Sequence, residues 1–122
     1  MSNLKWTEGR IRAFITSTLR GGMRRWPPKW EVLEEAFAGK YLNKKTKRLA
    51  KHYKCASCKG EFPSSQIEVD HIQPVVDPIV GFTTWNDFIS RLYVDKTQLQ
   101  TLCKPCHKIK TSTERVKRDE NK

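Results

Sequence analysis

The sequence predicts an α+β fold: a small two-stranded core fastened by a four-cysteine zinc site, carried behind a basic, mostly helical N-terminal arm. Three observations predict it. Two short segments, 67–72 and 98–102, alternate apolar and polar residues with the period of a strand. Three others, over 7–20, 28–38 and 84–92, repeat apolar residues at helical spacing. Four cysteines fall in two CxxC pairs, Cys55/Cys58 and Cys103/Cys106, one ahead of the first strand and one directly behind the second.

The elements follow in order. Thr7 caps the first helix, with Glu8 in its first turn and Ile11, Phe14, Ile15 and Leu19 near one face; Gly21-Gly22 ends it. Met23–Pro28 reads as a turn, because each proline restricts the residue before it. A second helix spans 28–38, proline at its start and Trp30, Leu33 and Phe37 at helical spacing, until Gly39 breaks it. Residues 40–53 read as a third, very basic helix. Cys55-Ala-Ser-Cys58-Lys-Gly60 is a knuckle whose glycine lets the chain turn after the second thiolate. Strand 67–72 runs into a loop set by Pro74 and Pro78. Thr83 or Thr84 caps a middle helix whose Trp85, Phe88, Ile89 and Leu92 form an apolar stripe read as core. After strand 98–102 a helix begins near Pro105, Thr111–Glu114 forms a capping box for a last short helix, and 118–122 is a frayed polar tail. The organisation is therefore an arm over 1–54, a module over 55–115 and a tail over 116–122.

The chain of 122 residues carries 24 Lys and Arg against 13 Asp and Glu, a net charge of +11. Residues 1–54 hold 14 of those cations and only 4 of the acids. Such a field suits a polyanion, and its placement assigns the grip to the arm. No apolar run reaches membrane-spanning length and no leader-like apolar segment opens the chain, so an intracellular protein without a membrane role is expected. Four cysteines allow three disulfide connectivities, but paired CxxC motifs without an export signal favour thiolates on a metal. A complete Cys₄ shell suits structural zinc and leaves no open position for chemistry.

Between the pairs stands Asp70-His71, and His107 directly follows Cys106. A carboxylate is a hard ligand for Mg²⁺ or Mn²⁺, and imidazole is the side chain suited to take a proton from water. Adjacent residues on a strand point to opposite faces, so one site needs the strand to end or bend here, which Pro74 permits. The run Val69-Asp70-His71-Ile72-Gln73-Pro74, together with Leu99-Gln100-Thr101-Leu102-Cys103-Lys104-Pro105-Cys106-His107-Lys108-Ile109-Lys110-Thr111, resembles the HNH endonucleases of the ββα-metal class, in particular the small phage-type members with a CxxC…CxxC zinc. The segment Gly81–Leu92 fits the same pattern, and the resemblance covers roughly residues 52–115.

The resemblance implies a metal-dependent DNA endonuclease: Asp70 and His107 as ligands of a catalytic Mg²⁺ or Mn²⁺, His71 as general base, and a 5′ phosphate as product. The family's central asparagine, which orients the base, is here Gln98, with the same amide on a stem one methylene longer. Gln98 is also the argument for an alternative, a zinc-stabilised DNA-binding module with weakened catalysis. The resemblance implies DNA, in double-stranded form, as the partner, and leaves monomer and homodimer both open. The resemblance also raises phage packaging proteins as partners and, for a phage-encoded chain, the host cytoplasm as location. Arg10, Arg12, Arg20, Arg24 and Arg25 form one candidate phosphate-binding cluster, Lys44, Lys45, Lys47, Arg48 and Lys51 a second, and Lys104, Lys108 and Lys110 a third beside the site. Trp6, Trp26 and Trp30 offer rings for stacking on unpaired bases, although the helical spacing of Trp30 reads as core.

Overall fold

A computed structural model describes residues 5–120. Helix α1 (Glu8–Gly21) starts as its sequence requires, with the Arg10 backbone N–H donating to Thr7 Oγ1 at 3.1 Å. A 3₁₀ turn (Gly22–Arg25) leads to α2 (Pro27–Ala36), which opens on two prolines. The segment expected as a third helix is instead a hairpin, β1 (Phe37–Asn43) and β2 (Arg48–Lys54). Two causes are local. Asn43 builds the turn: its side-chain oxygen accepts from Lys45 N–H at 3.0 Å and its carbonyl from Lys47 N–H at 2.7 Å, with Lys47 left-handed at φ 61°. A helix would also have stacked Lys44, Lys45, Lys47, Arg48 and Lys51 as like charges one turn apart.

Strand β3 (Glu61–Pro63) pairs with the base of β2, so hydrogen bonding runs continuously across residue 54. Between them the knuckle turns at Lys59 (φ 66°), not at the glycine. Gly60 is required for space, since a Cβ there would stand 2.9 Å from the Phe62 ring. Strands β4 (Ile67–His71) and β5 (Leu99–Cys103) form a separate antiparallel pair, Ile67 opposite Cys103 and His71 opposite Leu99. Helix α3 (Trp85–Leu92) lies between them in sequence; Thr84 caps it through Asp87 N–H at 3.1 Å. Helix α4 (Lys104–Glu120) leaves β5 without a linker. It is one helix, not two. Thr111 Oγ1 bonds back to the His107 carbonyl at 2.9 Å and Glu114 pairs with Lys110, so the expected capping box is spent inside the helix. The expected frayed tail is helical to Glu120; its last two residues, 121–122, lie outside the described residues.

Two small cores hold this together. Cys55, Ile67, Leu102 and Cys103 are buried with Leu33, Tyr53, Phe62 and Cys106 against them. Val75, Phe88 and Leu92 are buried against Leu19 and Met23 of the arm and Phe82, Trp85 and Tyr93. Of the expected apolar stripe, Phe88 and Leu92 are core, while Ile89 is 39% exposed. Trp30 is 53% exposed, contrary to expectation: α2 turns Leu33 inward, and the Trp30 ring lies beside Lys29 with its N–H on the Arg24 carbonyl. Trp26 is committed to the fold, donating to the Val94 carbonyl at 2.7 Å and packing on Tyr93. The arm is thereby tied to both cores. Tyr93 adds a hydroxyl bond to the Leu19 carbonyl, and Lys96 pairs with Glu35 at 2.5 Å. Among the described residues no helix is long and apolar enough to cross a membrane.

Candidate active site

The four cysteines converge, as the paired motifs require. Their Sγ atoms all lie within 4.8 Å of one another, and Cys58 and Cys103 are 3.9 Å apart. Thiolates held about 2.3 Å from one tetrahedral ion stand about 3.8 Å from each other, so the cluster can hold a metal ion and is compatible with structural zinc. Its electrostatics ask for a cation. Burial pushes the Cys55 thiol up, but backbone N–H groups of Cys103, Cys58 and Ser57 outweigh burial and bring it to about 6. Burial and the neighbouring sulfurs of Cys106, Cys55 and Cys58 push Cys103 up to about 12. One thiolate is favoured and a second is opposed, a conflict that a divalent ion removes.

Toward the other end of the same strand pair lies a cleft of about 690 Å³, lined among others by Asp70, His71, His107 and Lys110. Strand β4 ends at His71, which solves the problem of adjacent residues on opposite faces. Asp70 stays with the sheet, 8% exposed, and its direct partner across the ladder, Gln100, donates from Nε2 to Oδ2 at 3.0 Å. His71 sits at the strand end with Nε2 2.7 Å from the Leu92 carbonyl. A carbonyl only accepts, so Nε2 carries the proton and Nδ1 is the free lone pair of the neutral ring.

His107 enters from the first turn of α4. Its Nδ1 lies 2.9 Å from Glu68 Oε2 and its Nε2 3.5 Å from Asp70 Oδ1. Glu68 and Asp70 are two apart on β4 and share a face. With Nδ1–H donating to Glu68, the Nε2 lone pair faces a carboxylate oxygen, and the space between two acceptors suits a cation. Lys110 supplies the nearest fixed positive charge. Its ammonium donates to Asp70 Oδ2 at 3.0 Å, Glu114 Oε1 at 2.8 Å and the His71 carbonyl at 2.8 Å. Burial pulls its pKa down, but Glu114 and Asp70 more than compensate and hold it above the ordinary lysine value.

The structure thus brings Asp70, His71, His107 and Lys110 together and leaves the other candidates elsewhere. The three donors of Lys110 are taken by protein oxygens, which leaves none for a phosphate. Gln98 lies in a 3₁₀ turn (Lys96–Gln98), not on the strand; it lines a small cavity of about 180 Å³ that His71 also borders. Its backbone carbonyl accepts from Ile72 N–H at 3.0 Å, while the imidazole is oriented by the Leu92 carbonyl. Lys104 and Lys108 are exposed on α4; Lys44, Lys45, Lys47 and Arg48 are at the hairpin tip. Arg10 lies over the Trp6 ring at 4.2 Å and Arg12 over Phe82 at 5.1 Å, and Arg24 and Arg25 are exposed on the 3₁₀ turn. Arg20 of the same arm cluster borders the cleft, as do Lys29, Arg115 and Arg118.

Sequence reasoning assigned no site role to Glu68, Gln100 or Arg91, and gave Glu114 only a capping role. The first two were within reach: with cysteines closing one end of both strands, the antiparallel register puts Gln100 opposite Asp70, and period two puts Glu68 beside it. Arg91 holds the loop after β4, donating to the Pro74 carbonyl at 2.6 Å and the Val75 carbonyl at 2.9 Å. No family model, no curated protein and no solved structure matches this chain.

Proposed function

We propose that this protein is a divalent-metal-dependent endonuclease acting on DNA, built around a strand-pair-and-helix unit stapled by zinc. One observation carries the reading: two histidines and a buried aspartate meet in one cleft, and each histidine has one ring nitrogen committed to a fixed partner, Leu92 O for His71 and Glu68 for His107. Committed partners fix tautomers, and fixed tautomers give each ring a defined job.

Asp70 Oδ1 and His107 Nε2 are the atoms to hold Mg²⁺ or Mn²⁺. A bound ion of that kind supplies Lewis-acid stabilisation of charge at a phosphoryl group and its leaving oxygen. Gln100 and Lys110 occupy the outer oxygen of Asp70 and so point Oδ1 toward His107. His71 Nδ1 takes the proton from the attacking water, and the Leu92 carbonyl stabilises the imidazolium that results. Arg20, Lys29, Arg115 and Arg118 around the cleft favour an anionic substrate.

The alternative, a DNA-binding module with weakened catalysis, rests on Gln98, which borders the His71 cavity without being the group that orients the ring. One experiment separates the readings. Supercoiled plasmid is incubated with protein in Mg²⁺, in Mn²⁺ or in neither, with a His71→Ala control. Ion-dependent conversion to open-circle or linear DNA that His71→Ala abolishes is the expected result. Plasmid retarded in a gel but uncut under every ion condition selects the binding module.

A further inference from the structure

The hairpin β1–β2 carries a surface that the cleft does not use. On one face Lys40 stands directly opposite Lys51, and next along the ribbon Leu42 stands opposite Leu49. All four are exposed, Leu42 at 57% and Leu49 at 74%. Each pair is incompletely satisfied without a partner. Like charges directly opposite repel, and the two leucines, though they touch across the ribbon, leave most of their surface in water. A second copy of this chain would cover the leucines but would bring four lysines together. A duplex resolves both pairs at once, since phosphates flank a major groove whose floor exposes thymine methyl groups among its polar base edges.

We infer that this face is a groove-binding ribbon: β1–β2 lies in the major groove of duplex DNA, Leu42 and Leu49 against base edges, Lys40 and Lys51 on phosphates. A two-stranded ribbon fits a groove about 12 Å wide. From Lys40 to Lys54 every Asp, Glu, Lys and Arg position is a cation. The base of the ribbon is anchored, not hinged: Tyr53 packs on the cysteine-side core, and Thr101 Oγ1 of β5 donates to the Lys54 carbonyl at 2.7 Å. Binding by the ribbon therefore fixes the duplex relative to the strand pair that carries Asp70. The choice of DNA rests on the proposed nuclease reading; the occupancy of the face does not depend on any cleavage.

The test uses the full chain with its zinc, in buffer without added Mg²⁺ or Mn²⁺, and a fluorescent duplex of about 25 base pairs read by anisotropy across a salt series. Two double variants are compared with the parent: Lys40→Gln with Lys51→Gln, and Leu42→Thr with Leu49→Thr, threonine keeping the strand preference. The lysine variant is expected to flatten the slope of log K against log salt by about 2, one for each phosphate that is no longer neutralised. The leucine variant is expected to bind about tenfold more weakly with the slope unchanged. Thermal melting and zinc content equal to the parent are required of both. Wild-type affinity and slope in both variants overturn the inference, as does a dimer of the free protein that the leucine variant abolishes. Plasmid cleavage alongside wild-type binding by both variants rejects the ribbon and keeps the nuclease. Weakened binding without any cleavage keeps the ribbon and rejects the nuclease.

Discussion

Glu68→Ala tests whether His107 is a ligand or a bystander. Glu68 is not among the residues lining the cleft; it reaches the site through the 2.9 Å approach to His107 Nδ1. With the carboxylate present, the neutral ring keeps its proton on Nδ1 and offers Nε2 toward Asp70. Without it, water is the acceptor, the ring is freer to rotate, and the other tautomer puts a proton where an ion has to bind. Loss of such an outer carboxylate typically costs 10–100-fold in metal affinity or activity. The Glu68 side chain is 43% exposed and that of His107 35%, so water replaces much of the missing bond and the lower figure applies. The expected effect is about tenfold, or about 1.4 kcal/mol. In a plasmid-nicking assay titrated with Mg²⁺, the half-saturating concentration rises about tenfold and the rate at saturating ion changes little. Glu68→Gln, which keeps an acceptor oxygen without the charge, falls between. Stability stays within about 0.5 kcal/mol, as for an exposed surface change. An unchanged Mg²⁺ dependence in Glu68→Ala would refute the reasoning and remove His107 from the ion. A lower maximal rate at unchanged Mg²⁺ dependence would place Glu68 in the chemical step.

Three further outcomes follow from other parts of the fold. Thr101→Val removes the hydroxyl that meets the Lys54 carbonyl at 2.7 Å in a residue 4% exposed, and should cost about 1–3 kcal/mol, seen as a fall of roughly 4–12 °C in thermal melting. Cys58→Ser, or removal of the ion by a strong chelator, should abolish cooperative melting and release zinc measurable by a colorimetric indicator; a melting curve unchanged by either treatment would show that the four cysteines hold no structural metal. Asp77 accepts from Val80 and Ile79 N–H, which hold its carboxyl below the usual range. A depressed pKa contributes stability that is present above the unfolded value and lost as pH falls through the folded one. The acid limb of denaturation below about pH 4 should therefore be shallower in Asp77→Ala than in the parent, measured by circular dichroism across pH.

Much of this architecture was legible because its causes are local. Thr7 and Thr84 cap where hydroxyls precede periodic apolar runs, and the two alternating segments pair as strands because the cysteines close them at one end. The misread segment, 40–53, shows where local reading stops. Its few apolar residues fit a helix loosely and a ribbon equally well; the decision lay with the Asn43 turn and with pairing of β2 to β3, a partner beyond the knuckle. Trp30 was misassigned for a related reason: helical spacing places Trp30, Leu33 and Phe37 on one side without saying which of them a neighbouring element covers. Lys110 was readable as a cation near the site, but its partners Asp70 and Glu114 come from different elements, and only their meeting turns a candidate phosphate ligand into an internal ion pair.

The two clusters of ligand-type residues are mechanically one device. Cys103 ends β5, Cys106 lies in the first turn of α4, and His107 follows it directly, so fixing the sulfurs fixes both the exit of the strand and the pitch of the helix that aims His107. Ile67 and Cys103 face each other at the cysteine end of the ladder, Asp70 and Gln100 three rungs away at the cleft end. A change at the sulfurs therefore reaches the Asp70–His107 pair through two routes of short covalent length, along β5 and along α4, with no flexible loop in either. Beyond the cysteines, α4 is held to the sheet by polar contacts, Lys110 to Asp70 and the His71 carbonyl and His107 to Glu68, while Ile109 and Val116 on that helix are 67% and 55% exposed. The cysteine cluster thus helps to set the 3.5 Å separation between His107 Nε2 and Asp70 Oδ1, and an ion bound there would hold that pair together with the fold.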